Sequence, residues 1–211
     1  AYCGWQRQPD MPTVQQTIET ALSLLMRCPT EIVGAGRTDT GVNASYYVAH
    51  FDVAEEIDCE RICFKLNMML PSDIAVDSIR RVADSAHARF DAREREYTYF
   101  ISPTKSPFLR HSAWIYHVPL NVEAMNEAAA KLLQFDDFTS FAKLNSNNKT
   151  NICHIMRAEW SIRADGVLCF TIRADRFLRN MVRSIVGTLV DVGRGRYTVA
   201  DFVAIVAARD L

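Results

Sequence analysis

Residues Gly34 to Val42, with the sequence GAGRTDTGV, form the stretch around which the rest of this chain is organised. Glycine adopts positive φ without steric cost, so three glycines in nine residues predict a backbone that turns sharply. Arg37 and Asp39 lie two residues apart, and in an extended segment their side chains leave on the same side. Two interpretations fit this pattern: a reaction centre carried on a loop, or a β-turn with one surface ion pair.

The composition is that of a globular chain with enough apolar side chains for a buried core. The 211 residues allow one large domain or two small ones, and 49% of them are hydrophobic. No apolar run approaches the roughly 18 residues that a membrane-spanning helix requires, and no signal peptide is visible. The chain lacks an initial Met and ends soon after a helix pattern that begins at Thr198, so we expect it to be trimmed at both ends.

The six cysteines form no C-x-x-C pair, and the five histidines are scattered. This spacing does not match a zinc site, and small buried thiols in a reducing cytoplasm are the expected interpretation. His50, in a strand pattern, is expected to be a partly buried histidine with its hydrogen bonds satisfied. We therefore expect no metal and no organic cofactor.

The net charge of −1 conceals a strong asymmetry along the chain. Residues 1–60 hold three Arg and no Lys against nine acidic residues, whereas residues 173–196 hold six Arg against two Asp. Such asymmetry produces a local field that the whole-chain sum hides. The C-terminal cluster indicates either an anionic partner or a solvated helix face.

The arginine cluster falls on a predicted helix that Asp175 caps and Gly193 terminates. Arg176, Arg179 and Arg183 are spaced i, i+3 and i+7, which would place them on one cationic face. Arg183 has apolar neighbours in sequence, so we expect it to have an acidic or phosphate partner.

Further signals mark the remaining elements. Thr13 and Asp58 are predicted helix caps, and strands are expected over residues 46–53, 74–82 and 95–101. In the C-terminal half, a helix is expected over 122–133, a mobile loop over 143–151, and a hairpin around Asp165-Gly166. The hairpin would set Trp160 and Ile162 opposite, or diagonal to, Phe170 and Leu168.

This order of elements predicts an α+β fold. We expect two similar subdomains, residues 1–105 and 106–211, joined through the proline-containing segment 102–113. Each would have helices on one face of an antiparallel or mixed sheet, and the active cleft would lie between the halves.

The chain has no phosphate-binding loop with a Gly-Lys-Ser/Thr ending, no dinucleotide fingerprint and no His-Glu-x-x-His zinc motif. Carboxylate chemistry remains, with Asp39 as a nucleophile or base. The neighbouring Arg37 favours the ionised form that a nucleophilic carboxylate needs.

The loop GAGRTDTGV resembles the signature loop of the TruA family of tRNA pseudouridine synthases. Six further stretches resemble the family's motifs in the same order: GWQRQ at 4–8, LPSDIAV at 70–76, HARF at 87–90, YTY at 97–99, DFTSF at 137–141 and MVRSIVG at 181–187. The resemblance covers nearly the whole chain.

The resemblance implies a specific activity and a role for each site residue. The family isomerises uridines 38, 39 and 40 of the tRNA anticodon stem-loop in the cytoplasm, as a homodimer and without a cofactor. Asp39 would be catalytic, Arg37 would contact the RNA beside the flipped uridine, Tyr97 would stack on the uracil, and Arg183 would pair with Asp39. Contacts to the RNA backbone would come from Arg89, Arg176 and Arg179.

The chain departs from the family at position 43, where Asn43 replaces the common His, and we expect activity to survive this change. Two other functions are considered. A non-catalytic module that binds structured RNA would gain nothing from a carboxylate in the loop. A carboxylate hydrolase would need a second catalytic acid nearby, and none stands out.

Overall fold

The computed structural model describes residues 2–143 and 149–210. These residues fall into two units, Ala1–Ala92 and Arg93–Leu211. The change from one unit to the other therefore comes earlier than the expected boundary between residues 105 and 106. Five α-helices and open sheets are present in the described residues, and the fold is α+β as predicted.

The first unit contains α1 (Val14–Met26), β1 (Val33–Gly34), β2 (Ala49–His50) and α2 (Cys59–Met69). The predicted caps are confirmed: the Thr13 side chain accepts from the backbone N–H of Gln16, and that of Asp58 from the N–H of Arg61. The two strands are antiparallel neighbours. A small core lies beneath them, formed by Trp5, Ala21, Leu22, Ile32, Leu66 and Leu70.

Two strand predictions in this unit are wrong in extent or type. The strand expected over 46–53 is limited to β2, and residues 74–82 form no strand. The Asn67 side chain explains part of the second difference. Its amide donates to the Val76 carbonyl at 2.7 Å and accepts from the Val76 N–H at 2.8 Å, and so occupies both groups that a neighbouring strand would use.

The second unit is built on a four-stranded sheet of β3 (Arg95–Ser102), β4 (Ala113–Ile115), β5 (Ile155–Ile162) and β6 (Leu168–Ala174). The strand order is β4-β3-β6-β5, with β3 and β4 parallel and the other neighbours antiparallel. The predicted hairpin is confirmed, since Trp160 pairs with Phe170 and Ile162 with Leu168. Gly166, at φ +79°, supplies the left-handed residue of its turn.

Helices α3 (Val122–Lys131), α4 (Met181–Gly193) and α5 (Val199–Ala208) complete this unit. Short 3₁₀ turns at Leu132–Gln134 and Thr139–Phe141 follow α3. Asn126 on α3 covers the outer edge of β5, since its side-chain amide exchanges hydrogen bonds with the backbone N–H and carbonyl of Trp160 at 2.7 and 3.1 Å. The core between sheet and helices includes Phe138, Phe170, Ile172, Met181, Ile185 and Phe202.

The start of α4 differs from the prediction, because the helix begins at Met181 and Asp175 does not cap it. The Asp175 carboxylate accepts from the His154 N–H at 2.8 Å, and its carbonyl accepts from an Arg95 Nη at 3.0 Å. Asn180, at φ +64°, separates this segment from the helix. Arg176 and Arg179 therefore precede α4, and the predicted cationic face shared with Arg183 is wrong.

Residues 144–148 of the expected mobile loop lie outside the described residues. Elsewhere in the chain, no described helix combines the length and the apolar character needed to cross a bilayer.

A buried carboxylate joins three segments of the first unit. Glu19 on α1 is only 5% exposed, and it accepts from Arg7 Nε at 3.1 Å, from Gln15 Nε2 at 3.1 Å and from the Ile32 N–H at 3.0 Å. Gln15 also donates to the Ile32 carbonyl at 2.9 Å. The hydrogen bonds to Glu19 raise the pKa of Arg7. Hydrogen bonds to both the N–H and the carbonyl of Ile32 thus fix the segment before β1 to α1.

The Glu19→Ala variant should be less stable by about 1–3 kcal/mol, because the buried Ile32 N–H loses its acceptor. Urea denaturation measures this loss, and faster hydrogen exchange of the Ile32 amide would locate it. The matched control is Glu31→Ala, whose side chain is 81% exposed and lies 3.8 Å from Arg7. A surface pair of this kind contributes about 0–1 kcal/mol, so equal losses in both variants would contradict the structural role of Glu19.

Candidate active site

The loop at residues 34–42 leaves β1 and returns toward β2. The Ala35 N–H donates to the Val48 carbonyl at 2.9 Å and extends the pairing of the two strands by one step. Beyond this point the chain makes a tight turn, in which the Val42 N–H donates to the Asp39 carbonyl at 3.2 Å. Gly41 has φ +78°, the conformation that a type II turn requires at its third position.

The N-terminal segment GWQ packs directly on this loop. The Trp5 N–H donates to the Thr38 carbonyl at 3.3 Å. Gly4 has φ +86°, and a Cβ at this position would lie 2.2 Å from the Thr38 carbonyl oxygen. The close approach of the two backbones therefore requires glycine at position 4.

Tyr47 holds the other side of the loop. Its hydroxyl accepts from the Gly36 N–H at 3.2 Å and donates to the Gly36 carbonyl. Its ring lies 4.1 Å from the ring of Trp5, centroid to centroid. A Cβ on Gly34 would lie 2.3 Å from the Tyr47 oxygen and 2.6 Å from the Trp5 ring, so this glycine serves close packing and not a turn.

The side chains of Arg37 and Asp39 are exposed on this fixed backbone. No ion pair joins them within the described part of the first unit. The interpretation of the loop as a turn with a surface ion pair is therefore wrong. The Asp39 carboxylate is open to solvent, and contacts to the backbone of the loop hold the residue in place.

The segment 87–90, HARF, folds as a turn against β2. His50 is partly buried, as predicted, and its Nδ1 accepts from the Ala88 N–H at 3.1 Å. The His87 ring lies 4.7 Å from the His50 ring and 4.2 Å from the Phe90 ring. Arg89 is exposed on this turn.

Tyr97 and Arg183 belong to the second unit. Tyr97 is half-buried on β3, pairs with Ile172 on β6 and makes an edge-to-face contact with Phe177 at 5.2 Å. Arg183 lies in the first turn of α4 and is exposed, in spite of its apolar neighbours in sequence.

Several arginines of the C-terminal cluster face acidic side chains. Arg173 lies 2.8 Å from Glu96 and 3.5 Å from Glu94, and its hydrogen bonds to Glu96 raise its pKa. Arg194 and Arg196 lie 3.5 and 3.3 Å from Asp191. Charge counting along the sequence did not reveal the partners of Arg173, because Glu94 and Glu96 are about 80 positions away in the chain.

Arg176 and Arg179 lie in the segment between β6 and α4. Arg179 is exposed, whereas Arg176 is half-buried and near Cys153. Burial raises the pKa of the Cys153 thiol to about 11, and the nearby Arg176 opposes this rise. Cys153 is therefore a neutral, buried side chain at physiological pH.

The DFTSF segment has a structural role in the second unit. Asp137 accepts from the Thr139 hydroxyl at 2.7 Å and from its N–H at 3.0 Å, and these bonds lower the pKa of Asp137. They start the 3₁₀ turn that buries Phe138 and Phe141 in the core.

No group of three or more His, Cys, Asp or Glu side chains is placed to hold a metal ion in residues 2–143 and 149–210.

Comparison with known proteins identifies the family. A family model described as tRNA pseudouridine synthase matches residues 128–210. The tRNA pseudouridine synthase A of Bacteroides fragilis is 52% identical over 202 residues, which cover 95% of this chain and 80% of the relative. That of Parabacteroides distasonis is 54% identical over 210 residues, covering 98% and 82%. That of Exiguobacterium sp. is 39% identical over 209 residues, covering 99% and 85%. The chain belongs to the tRNA pseudouridine synthase A family.

Proposed function

We propose that this chain isomerises uridine to pseudouridine in tRNA, at positions 38, 39 and 40 of the anticodon stem-loop. The observation that carries the proposal is the exposed Asp39 on a loop whose backbone is held at Gly36 and Thr38, in a chain that shares about half its residues with named tRNA pseudouridine synthases. The reaction breaks the N1–C1′ bond and forms a C5–C1′ bond. N1 gains a proton and C5 loses one, so the overall change is an isomerisation.

Asp39 is the catalytic residue of this proposal. Its carboxylate either adds to uracil C6 or acts at ribose C1′, and in both cases the uracil is released, rotates and rejoins through C5. The side chain is exposed. It is therefore accessible to a nucleotide that enters from solvent.

A uridine within a stem must leave the base stack before it can react, at a cost of about a few kcal/mol. Stacking on an aromatic ring returns about 1–3 kcal/mol per base, and Tyr97 supplies this ring in our proposal. Arg37, exposed two residues before Asp39, contacts the RNA beside the flipped nucleotide.

The proposal places the active cleft between the N-terminal and C-terminal halves. Arg183 then faces Asp39 as a counter-charge, and Arg89, Arg176 and Arg179 contact the phosphate backbone. The exposed positions of Arg89, Arg179 and Arg183 support these roles. We further propose that the protein acts as a homodimer in the cytoplasm, without a metal or organic cofactor.

Mass-spectrometric mapping of an anticodon stem-loop transcript incubated with the protein tests the function directly. We expect pseudouridine at one or more of positions 38, 39 and 40. An unmodified transcript that the protein nevertheless binds would favour the alternative, a non-catalytic RNA-binding protein.

The Asp39→Asn variant should lose turnover to the uncatalysed background, because the amide is not a nucleophilic carboxylate, while tRNA binding persists. Tritium release from C5-labelled tRNA measures turnover, and filter binding measures affinity. Asp52→Asn removes another exposed carboxylate and should retain activity. Near-normal turnover in Asp39→Asn would exclude Asp39 as the catalytic residue.

Arg183→Ala should lower turnover far more than Arg179→Ala, because we assign the first a counter-charge for Asp39 and the second a phosphate contact. Arg179 is also exposed, and it precedes α4 by a short turn, which makes it the matched variant. Loss of one phosphate contact should reduce the salt dependence of binding by a slope of about 0.7–0.9. Equal, modest losses in both variants would show that Arg183 is only another phosphate contact.

A further inference from the structure

Gly36 lies in the loop with open space where a side chain would be. A Cβ at this residue would have no heavy atom within 4 Å, so nothing packs against this side of its Cα. Glycine also has the widest range of φ and ψ of all residues. Arg37 follows immediately, and Asp39 lies two residues further along the chain. Free rotation at Gly36 would therefore displace both side chains.

The Tyr47 hydroxyl removes this freedom. A phenolic hydroxyl can donate one hydrogen bond and accept others, and here it uses both capacities on the same residue. It accepts from the Gly36 N–H at 3.2 Å and donates to the Gly36 carbonyl. One side chain thus fixes the peptide groups on both sides of the Gly36 Cα.

The Tyr47 hydroxyl is itself held in position by the core. The Tyr47 ring packs at 4.1 Å on Trp5, which is 8% exposed and belongs to the core of the first unit. The backbone N–H of the same Trp5 donates to the Thr38 carbonyl at 3.3 Å. The loop is consequently held at Gly36, before Arg37, and at Thr38, directly before Asp39.

We propose that Tyr47 is a positioning residue for Asp39, acting through Gly36 without touching the substrate. This inference rests on the proposed function. Catalytic groups lose effectiveness steeply when displaced by about 1 Å, at a cost of up to about 100-fold in rate. The hydroxyl of Tyr47 contributes to the geometry of the loop, whereas its ring contributes to the core, and the two contributions can be separated by mutation.

The test compares Tyr47→Phe with the wild-type protein in steady-state tritium release. The Phe ring keeps the contact with Trp5 and removes both hydrogen bonds to Gly36. We expect kcat to fall about 10- to 100-fold while KM and the tRNA dissociation constant stay within about twofold. Hydrogen exchange of the Gly36 amide should become faster, and the urea midpoint should change little.

Two further variants make the result specific. Tyr46→Phe removes the hydroxyl of the neighbouring tyrosine, which is 79% exposed, and should leave kcat unchanged. Gly36→Ala introduces a Cβ into open space and restricts the backbone. Combined with Tyr47→Phe, it should restore part of the lost kcat.

An unchanged kcat in Tyr47→Phe, or an equal loss in Tyr46→Phe, would overturn the inference and leave the proposed function intact. A fall in kcat that Gly36→Ala does not relieve would place the effect of Tyr47 elsewhere and would also overturn it. Absence of pseudouridine with the wild-type protein would overturn the proposed function, and this inference with it.

Discussion

The buried carboxylate of Glu19 is the interaction on which the geometry of the first unit depends. It accepts from Arg7, from Gln15 and from the backbone of Ile32, and so joins the N-terminal segment, α1 and the entry to β1. A buried charge is costly unless it is paired and hydrogen-bonded, and here three donors satisfy it. These contacts fix where β1 begins, and therefore where the loop that carries Asp39 leaves the core.

The structure controls the loop through its backbone and leaves the side chains of Arg37 and Asp39 exposed. Contacts from Trp5 and Tyr47 reach the carbonyl of Thr38 and both peptide groups of Gly36. An anchored carboxylate side chain would be satisfied by its anchors and less available to a substrate. Backbone anchoring gives orientation without occupying the carboxylate, and this suits the catalytic role that we propose for Asp39.

Local signals in the sequence predicted much of the fold, and contacts between distant residues explain most of the differences. The Asp165-Gly166 turn and the caps at Thr13 and Asp58 depend on residues a few positions apart, and all three are confirmed. Two predictions were wrong: the strand over 74–82 and the early start of α4. Asn67 binds the backbone N–H and carbonyl of Val76, and the Asp175 carboxylate accepts from the His154 N–H and does not cap α4. Tyr47 gave no signal, since only the folded loop brings its hydroxyl to Gly36.

The arrangement of charge limits how this protein can attract RNA. Arg173, Arg194 and Arg196 already face carboxylates, so a phosphate would have to compete with Glu94, Glu96 and Asp191 for them. These pairs are at least partly exposed, and each contributes little, but together they reduce the positive charge of the arginine cluster seen in the sequence. In our proposal, the contacts to the phosphate backbone then come from Arg89, Arg176 and Arg179. With few phosphate contacts, binding would depend only moderately on salt, and shape and stacking would carry more of the selectivity.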